Sequence, residues 1–332
     1  MSLTDWARAH GAPLYTASMR AQLDDFEVTE ELAFDFSGDG EHDYLFIEKR
    51  GANTEWLARQ LAAHADVPAR DVGYAGLKDR HAATRQWFSV PRWNTPDWGL
   101  LAVEGVRVLD QQRHHRKLRR GAHKTNRFRI VLRGRIPDRH ALDERLGIIR
   151  SAGVPNYFGE QRFGRGGSNI ELADAWSRRK RLSRHKRSIA ISTARSYLFN
   201  QILDARVRDG TWNRVVPGDM ANLDGSGSVF KVDALSQDLV RRCDELDIHP
   251  TGPLYGDGTP GSSLLSEHEA WLEALTTARV KPANRSLRLR VLAPEWSTQN
   301  DSLAIEFALS RGSYATAVLR EIAEIHDTTR QT

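Results

Sequence analysis

Alternating and turn-spaced apolar residues divide the chain into recognisable elements. D-Y-L-F-I-E-K at 43–49 has an aromatic, β-branched centre and predicts a strand that Gly51 ends. N-T-E-W-L-A-R-Q-L-A-A-H at 53–64 predicts a helix, with Asn53 to cap its free amides and Leu57 and Leu61 one turn apart. Q-W-F-S-V at 86–90 predicts a strand stopped by Pro91. R-F-R-I-V-L-R at 127–133 alternates most clearly, with Phe128, Ile130 and Leu132 on one face and Arg127, Arg129 and Arg133 on the other. After Pro137, Leu142, Leu146 and Ile149 form a helical stripe over 138–150, weakened by Gly147.

The pattern then breaks. Residues 151–169 are glycine-rich and aperiodic, reading as an extended functional loop or a domain crossing. A helix is predicted over 194–209, with Leu198 and Ile202 in register and Gly210 to end it. Residues 211–262 are rich in turn sequences and read as an irregular lobe, and helical character returns over 263–277 around Leu265, Trp271 and Leu275. Alternation resumes at 286–291 and at 302–309, where Leu303, Ile305, Phe307 and Leu309 share a face. From Ser313 a final helix is predicted, with Val318, Ile322 and Ile325 on one stripe. Strands, an irregular and helical middle, then strands again imply an α+β domain interrupted by an insertion.

Composition narrows the class. The 332 residues suit one large domain or two, and 40% hydrophobic with 27% charged content is ordinary for a soluble globular protein. Cys243 is the only cysteine, so neither an intrachain disulfide nor a cysteine-rich zinc site can form. The opening M-S-L-T-D-W-A-R-A-H lacks the apolar core of a signal peptide. No run approaches the roughly 18 apolar residues of a membrane span. The expectation is a cytoplasmic protein with no membrane partner. With no plainly apolar interaction stripe in the middle lobe, a monomer without an obligate protein partner is expected.

The net charge of +5 is modest, but its distribution is not. R-H-H-R-K-L-R-R-G-A-H-K-T-N-R-F-R at 113–129 holds eight Lys or Arg residues, S-R-R-K-R-L-S-R-H-K-R at 177–187 holds seven, and neither run contains an acid. A polyanion relieves such self-repulsion by ion pairing and counterion release. Two solvated basic faces, or a membrane or acidic-protein surface, are the competing readings. Neither run has the apolar stripe that membrane insertion requires. Phe128, Tyr157, Phe158 and Phe163 lie nearby in sequence and are of a type that stacks on unpaired bases, although each also suits a core. The glycines at 159–167 match neither the phosphate-loop nor the dinucleotide pattern, and no serine sits in a G-x-S-x-G elbow. The histidine pair His114-His115 sits among arginines, which oppose a metal cation.

G-L-K-D-R-H-A-A-T-R-Q at 76–86 sets one carboxylate, Asp79, between Lys78 and Arg80 in a loop before a strand. Opposite charges nearby favour the ionised carboxylate, which can act as a nucleophile or a base. A plain salt bridge satisfies the same residues, so local sequence leaves both open.

The same stretch resembles the family of tRNA pseudouridine synthase D, bacterial enzymes that isomerise uridine 13 of tRNA. The resemblance continues in order through K-T-N-R-F-R-I-V-L-R at 124–133, G-V-P-N-Y-F-G-E-Q-R-F-G at 153–164, A-R-S-Y-L-F-N-Q at 194–201, P-G-D at 217–219 and R-G-S-Y-A-T-A-V-L-R-E at 311–321. It implies an α+β fold: a pseudouridine synthase catalytic domain on a mixed, largely antiparallel sheet, interrupted by a family-specific α/β insertion domain. The expected borders are 1–153 with 285–332 for the first and 154–284 for the second. It implies an isomerase that needs no cofactor and no metal, with Asp79 as the essential acid. Phe26, Asn126, Phe128 and Arg20 are expected at the target nucleotide, Arg20 also as a basic partner of Asp79. Lys78, Arg80, Arg116, Lys117, Arg119, Arg120, Lys124, Arg162, Arg179 and Lys180 are the expected tRNA contacts. An RNA-binding protein without catalysis, and a protein-interaction module using the basic runs, remain the alternatives.

Overall fold

The computed structural model describes residues 5–330. Its strands are, in chain order, β1 (Thr16–Met19), β2 (Phe26–Leu32), β3 (His42–Arg50), β4 (Gly73–Tyr74), β5 (Ala83–Pro91), β6 (Val106–His114) and β7 (His123–Arg133); β8 (Val154–Pro155), β9 (Met220–Leu223), β10 (Val229–Lys231), β11 (Ile248–Leu254), β12 (Ala283–Ser286) and β13 (Arg288–Leu289); then β14 (Leu292–Gln299), β15 (Ser302–Ser310) and β16 (Glu324–Asp327). The helices are α1 (Thr54–His64), α2 (Arg139–Ala152), α3 (Ser168–Ser177), α4 (Arg184–Arg208), α5 (Gln237–Asp244), α6 (Glu269–Thr277) and α7 (Ala315–Leu319). No helix among the described residues is long and apolar enough to cross a membrane.

Two compact units divide the chain. One, the sheet unit, comprises 14–139, 292–312 and the residues from Ala323 on; the other comprises the residues up to Pro13, His140–Val291 and Ser313–Ile322. These borders differ from those that the resemblance implies. Hydrogen bonds account for the difference: Arg145 of α2 donates to the carbonyls of Ala12 and Glu321, and the Glu321 carboxylate accepts the backbone N–H groups of Ala9 and His10. These contacts tie α2, the N-terminal segment and the segment around α7 to the unit that contains the insertion.

In the sheet unit the strand order is β14-β15-β7-β2-β5-β3-β6, with β1 against β7 and β16 and with β4 against β5. Only β2–β5 and β1–β16 are parallel, so the sheet is mixed and largely antiparallel. The alternation in β7 and β15 places Phe128 opposite Phe307 and Ile130 opposite Ile305. Both faces of β3 are covered, which is why its buried residues run on without alternation. On one face α1 lays Leu57 and Leu61 against Leu45, Ile47 and Phe88. Asn53 caps α1 by accepting from the N–H groups of Glu55 and Trp56.

In the second unit the region 211–262 is more ordered than its turn sequences imply. It supplies β9, β10, α5 and β11 to a four-stranded sheet of order β10-β9-β11-β12. Local propensity hides β11, I-H-P-T-G-P-L, because two prolines and a glycine break a strand pattern. Gly252 is needed there: a side chain would meet Leu287 at 2.9 Å and Phe199 at 3.1 Å. The expected final helix is also revised. α7 stops at Leu319, and Ile325 lies in β16 because that stretch pairs in parallel with β1.

Candidate active site

The loop carrying Asp79 joins β4 to β5 and is anchored mostly through its backbone. The Thr54 hydroxyl, at the start of α1, accepts the Lys78 N–H at 3.0 Å and donates to Gln86 Oε1 at 3.0 Å. Gln86 in turn donates from Nε2 to the Gly76 carbonyl at 3.2 Å. Arg80 Nε donates to the Gly51 carbonyl at 3.2 Å. Beneath the loop lies Lys49, fully buried, whose Nζ donates to the Ala52 carbonyl at 2.7 Å and to the Asp79 carbonyl at 3.1 Å. Burial pushes the Lys49 ammonium down to about 8, against the opposing pull of Asp79.

The side chain of Asp79 is left at the surface, 37% exposed. Its Oδ1 accepts the His81 N–H at 3.1 Å, which fixes the turn, and its Oδ2 pairs with Arg20 Nη2 at 2.7 Å. The expected Arg20–Asp79 pair is therefore present. Arg20 adopts φ 62°, the left-handed region, which a non-glycine residue enters only when its surroundings hold it there. Its other terminal nitrogen pairs with Asp327 at 2.6 Å, and its guanidinium lies 4.2 Å from the centre of the Phe26 ring.

Phe26 and Phe128 are found under this arrangement rather than open beside it. Phe26 meets Phe128 edge-on at 6.1 Å, and Phe128 stacks on Phe307 at 5.6 Å. Both rings are buried. Of the two readings of Phe128, base stacking and core packing, the structure gives the second: the inward stripe of β7 carries it into the core. Asn126, on the same strand, has a buried Oδ1 with no hydrogen-bond partner. A buried acceptor left unpaired costs about 1–3 kcal/mol, and such a group is a natural recipient of a ligand N–H.

The expected tRNA contacts separate into used and unused cations. Lys78 is corrected: its Nζ makes a buried ion pair with Glu30, whose Oε1 also accepts the Trp87 N–H at 3.2 Å, so this lysine holds the loop and is not presented to phosphate. Arg85 is likewise committed, to Glu27 and Glu48. Arg162 donates to the Ser192 hydroxyl and the Tyr314 hydroxyl, each at 2.9 Å, and so braces its own unit. Lys117 reaches the Arg70 carbonyl, and Arg120 lies over the Tyr74 ring. Arg80, Arg116, Arg119, Lys124, Arg179 and Lys180 are exposed. Tyr157, Phe158 and Phe163 are packed in a core with Phe199 and Leu287, which removes them as stacking platforms. Among the described residues, no three His, Cys, Asp or Glu side chains gather as a metal site requires.

Sequence reasoning missed Lys49 and Asp327. Lys49 carries a signal, since a lysine within a strand covered on both faces is unusual. Asp327 carries none, lying 307 positions from the arginine it holds.

The family model described as tRNA pseudouridine synthase D (TruD) matches residues 9–173 and 169–322. The chain is 46% identical to tRNA pseudouridine synthase D of Methylococcus capsulatus and 44% identical to that of Nitrosococcus oceani, in each case over 96% of this chain and 94% of the relative. The solved structure of a tRNA pseudouridine synthase D from Methanosarcina mazei superposes with a TM-score of 0.72 at 20% identity, covering 98% of this chain and 97% of that one, a likeness of fold.

Proposed function

Given that this chain belongs to the tRNA pseudouridine synthase D family and is accordingly an isomerase acting on tRNA, we propose that its target is uridine 13 and that Asp79 is the reacting carboxylate. The observation that carries the reading is the placement of Asp79: a surface carboxylate on an anchored loop, with one oxygen turned to Arg20 at 2.7 Å and the other fixed by the His81 N–H.

The reaction exchanges one bond for another. The bond from N1 of uracil to C1′ of the ribose breaks, the base turns while held, and C5 bonds to C1′. C5 then loses its proton and N1 gains one, so the product is an isomer. Asp79 serves either of two routes, by attack on C1′ or by removal of a ribose proton. The nucleotide must leave its stack for C1′ and C5 to be reached. Asn126 Oδ1, buried and unpaired, suits the imide N–H of a flipped uracil. Phe26 and Phe128 act one layer below, as the floor on which Arg20 rests. The exposed cations, Arg179 and Lys180 among them, attract the tRNA backbone.

Asp79→Asn keeps the shape of the loop and the His81 N–H acceptor but removes the charge. It is expected to lower pseudouridine formation in unmodified tRNA by about a thousandfold or more, with tRNA affinity and thermal unfolding nearly unchanged. Mapping the product of the wild-type reaction along the tRNA tests the position. Retained turnover in Asp79→Asn would overturn the role of Asp79, and modification elsewhere in the tRNA would overturn the assignment of the site.

A further inference from the structure

We propose that Asp327 is a positioning residue for the isomerisation, acting on Asp79 through Arg20; the inference rests on the reading of Asp79 as the reacting carboxylate. An arginine free to choose gives one carboxylate two parallel N–H groups. Here the guanidinium is split. Nη2 reaches Asp79 Oδ2 at 2.7 Å, while Nη1 reaches Asp327 Oδ2 at 2.6 Å. The ring of Phe26 lies across its face, and Nε is buried without a hydrogen-bond partner. With Asp327 holding one end, Arg20 meets Asp79 through one terminal nitrogen only.

Two consequences follow. Arg20 holds only one oxygen of Asp79, the other accepting the His81 N–H, so the guanidinium does not clamp both and the carboxylate keeps lone pairs open for reaction. One cation also serves two anions, so the three side chains together carry one net negative charge and Asp79 is not fully neutralised. Both effects favour a carboxylate that must act as nucleophile or base.

Asp327 is itself well fixed. Its Oδ1 accepts the Thr329 N–H at 3.2 Å and the Thr329 hydroxyl at 2.8 Å, while Oδ2 meets Arg20. Its strand, β16, pairs in parallel with β1 so that Asp327 lies opposite Met19. The Thr328 hydroxyl donates to the Arg20 carbonyl at 2.7 Å, holding the left-handed turn from the residue just after that strand. The turn contacts and the Arg20 contact thus use different oxygens of Asp327, which makes the two roles separable.

The test measures the rate of pseudouridine formation in unmodified tRNA at saturating enzyme, beside tRNA affinity and thermal unfolding. Asp327→Asn is expected to lower the saturated rate by about tenfold or more with affinity within about twofold. Thr329→Val, which removes the hydroxyl contact to Oδ1 of Asp327, is expected to keep the wild-type rate. In an Arg20→Met background, Asp327→Asn is expected to cost nothing further, because its effect passes through the arginine. If Asp327→Asn unfolds the protein, Asp327→Glu, which keeps the charge but displaces the guanidinium, is expected to lower the rate with affinity retained. An unchanged rate in the folded Asp327 variant overturns the inference, as does an equal loss with and without Arg20, which would mark a purely structural residue. Failure of the underlying reading looks different: the wild type would make no pseudouridine, or Asp79→Asn would remain active.

Discussion

The two basic runs look alike in sequence and have different fates. In the run at 113–129, the sheet brings acids from elsewhere in the chain to the arginines of β7, while Arg116, Arg119 and Lys124 stay exposed. Arg129 pairs with Glu27 and Glu306, Arg127 approaches Glu31, and Arg113 donates to the Gly40 carbonyl. In the run at 177–187, Arg178, Arg179, Lys180, Arg181, Arg184, Lys186 and Arg187 are all exposed, and none makes a side-chain ion pair among the described residues. Four basic side chains, Arg184 to Arg187, occupy the first turn of α4, which holds no acid. The positive end of a helix disfavours cations, so this arrangement is uncompensated inside the protein. A run without acids is therefore not in itself a bare surface. Where a strand carries part of a run into the sheet, neighbouring strands pair with its arginines; where a turn or a helix start presents it, the charge remains for a polyanion.

The sharpest test of this contrast is at the most deeply used cation of the sheet unit. Lys78→Met leaves Glu30 buried without its partner, and breaking a buried pair in this way costs about 3–5 kcal/mol. Chemical denaturation of Lys78→Met should show that loss. The double variant Glu30→Gln with Lys78→Met should lose less than the two single variants summed, because no buried charge is then orphaned. A Lys78→Met protein of wild-type stability would mean the pair is not the anchor the geometry describes.

At the other extreme, replacing Arg179, Lys180, Arg184 and Lys186 together by glutamine should leave stability intact or raise it, because repulsion at the start of α4 is relieved. Affinity for tRNA should fall by about a hundredfold at low salt, and the slope of log affinity against log salt should shrink by about three. Filter binding over a salt series gives both quantities. An unchanged slope would mean that the bare run does not meet RNA.

What could be read from the sequence follows the same division between local and distant causes. The strands at 43–49, 127–133 and 302–309 and the helix at 53–64 were legible because period and cap are local properties. β11 was not legible, since two prolines obey their neighbours' hydrogen bonding and not their own propensity. In the site, Asp79 was singled out by its basic surroundings and by resemblance, and Arg20 by resemblance alone. The true use of Lys78 depends on Glu30 from β2, and the hold on Arg20 depends on Asp327 near the far end of the chain. Neither partner adjoins its cation in sequence, and no local pattern marks them.

The smallest expected effect completes the contrast. Arg127→Gln with Arg129→Gln removes two cations from the first run, but both are about half exposed and already paired with Glu31, Glu27 and Glu306. Exposed pairs contribute roughly 0–1 kcal/mol each, so unfolding should shift by about 1 kcal/mol or less, and the shift should fade as salt screens the charges. Because their carboxylate partners already neutralise these arginines, few counterions are released when RNA approaches. The salt slope of tRNA binding should therefore change by less than about one, against a change of about three for the bare run. Equal slope changes for the two sets would show that pairing within the sheet does not withdraw a cation from RNA, and the distinction between the runs would collapse to one of position alone.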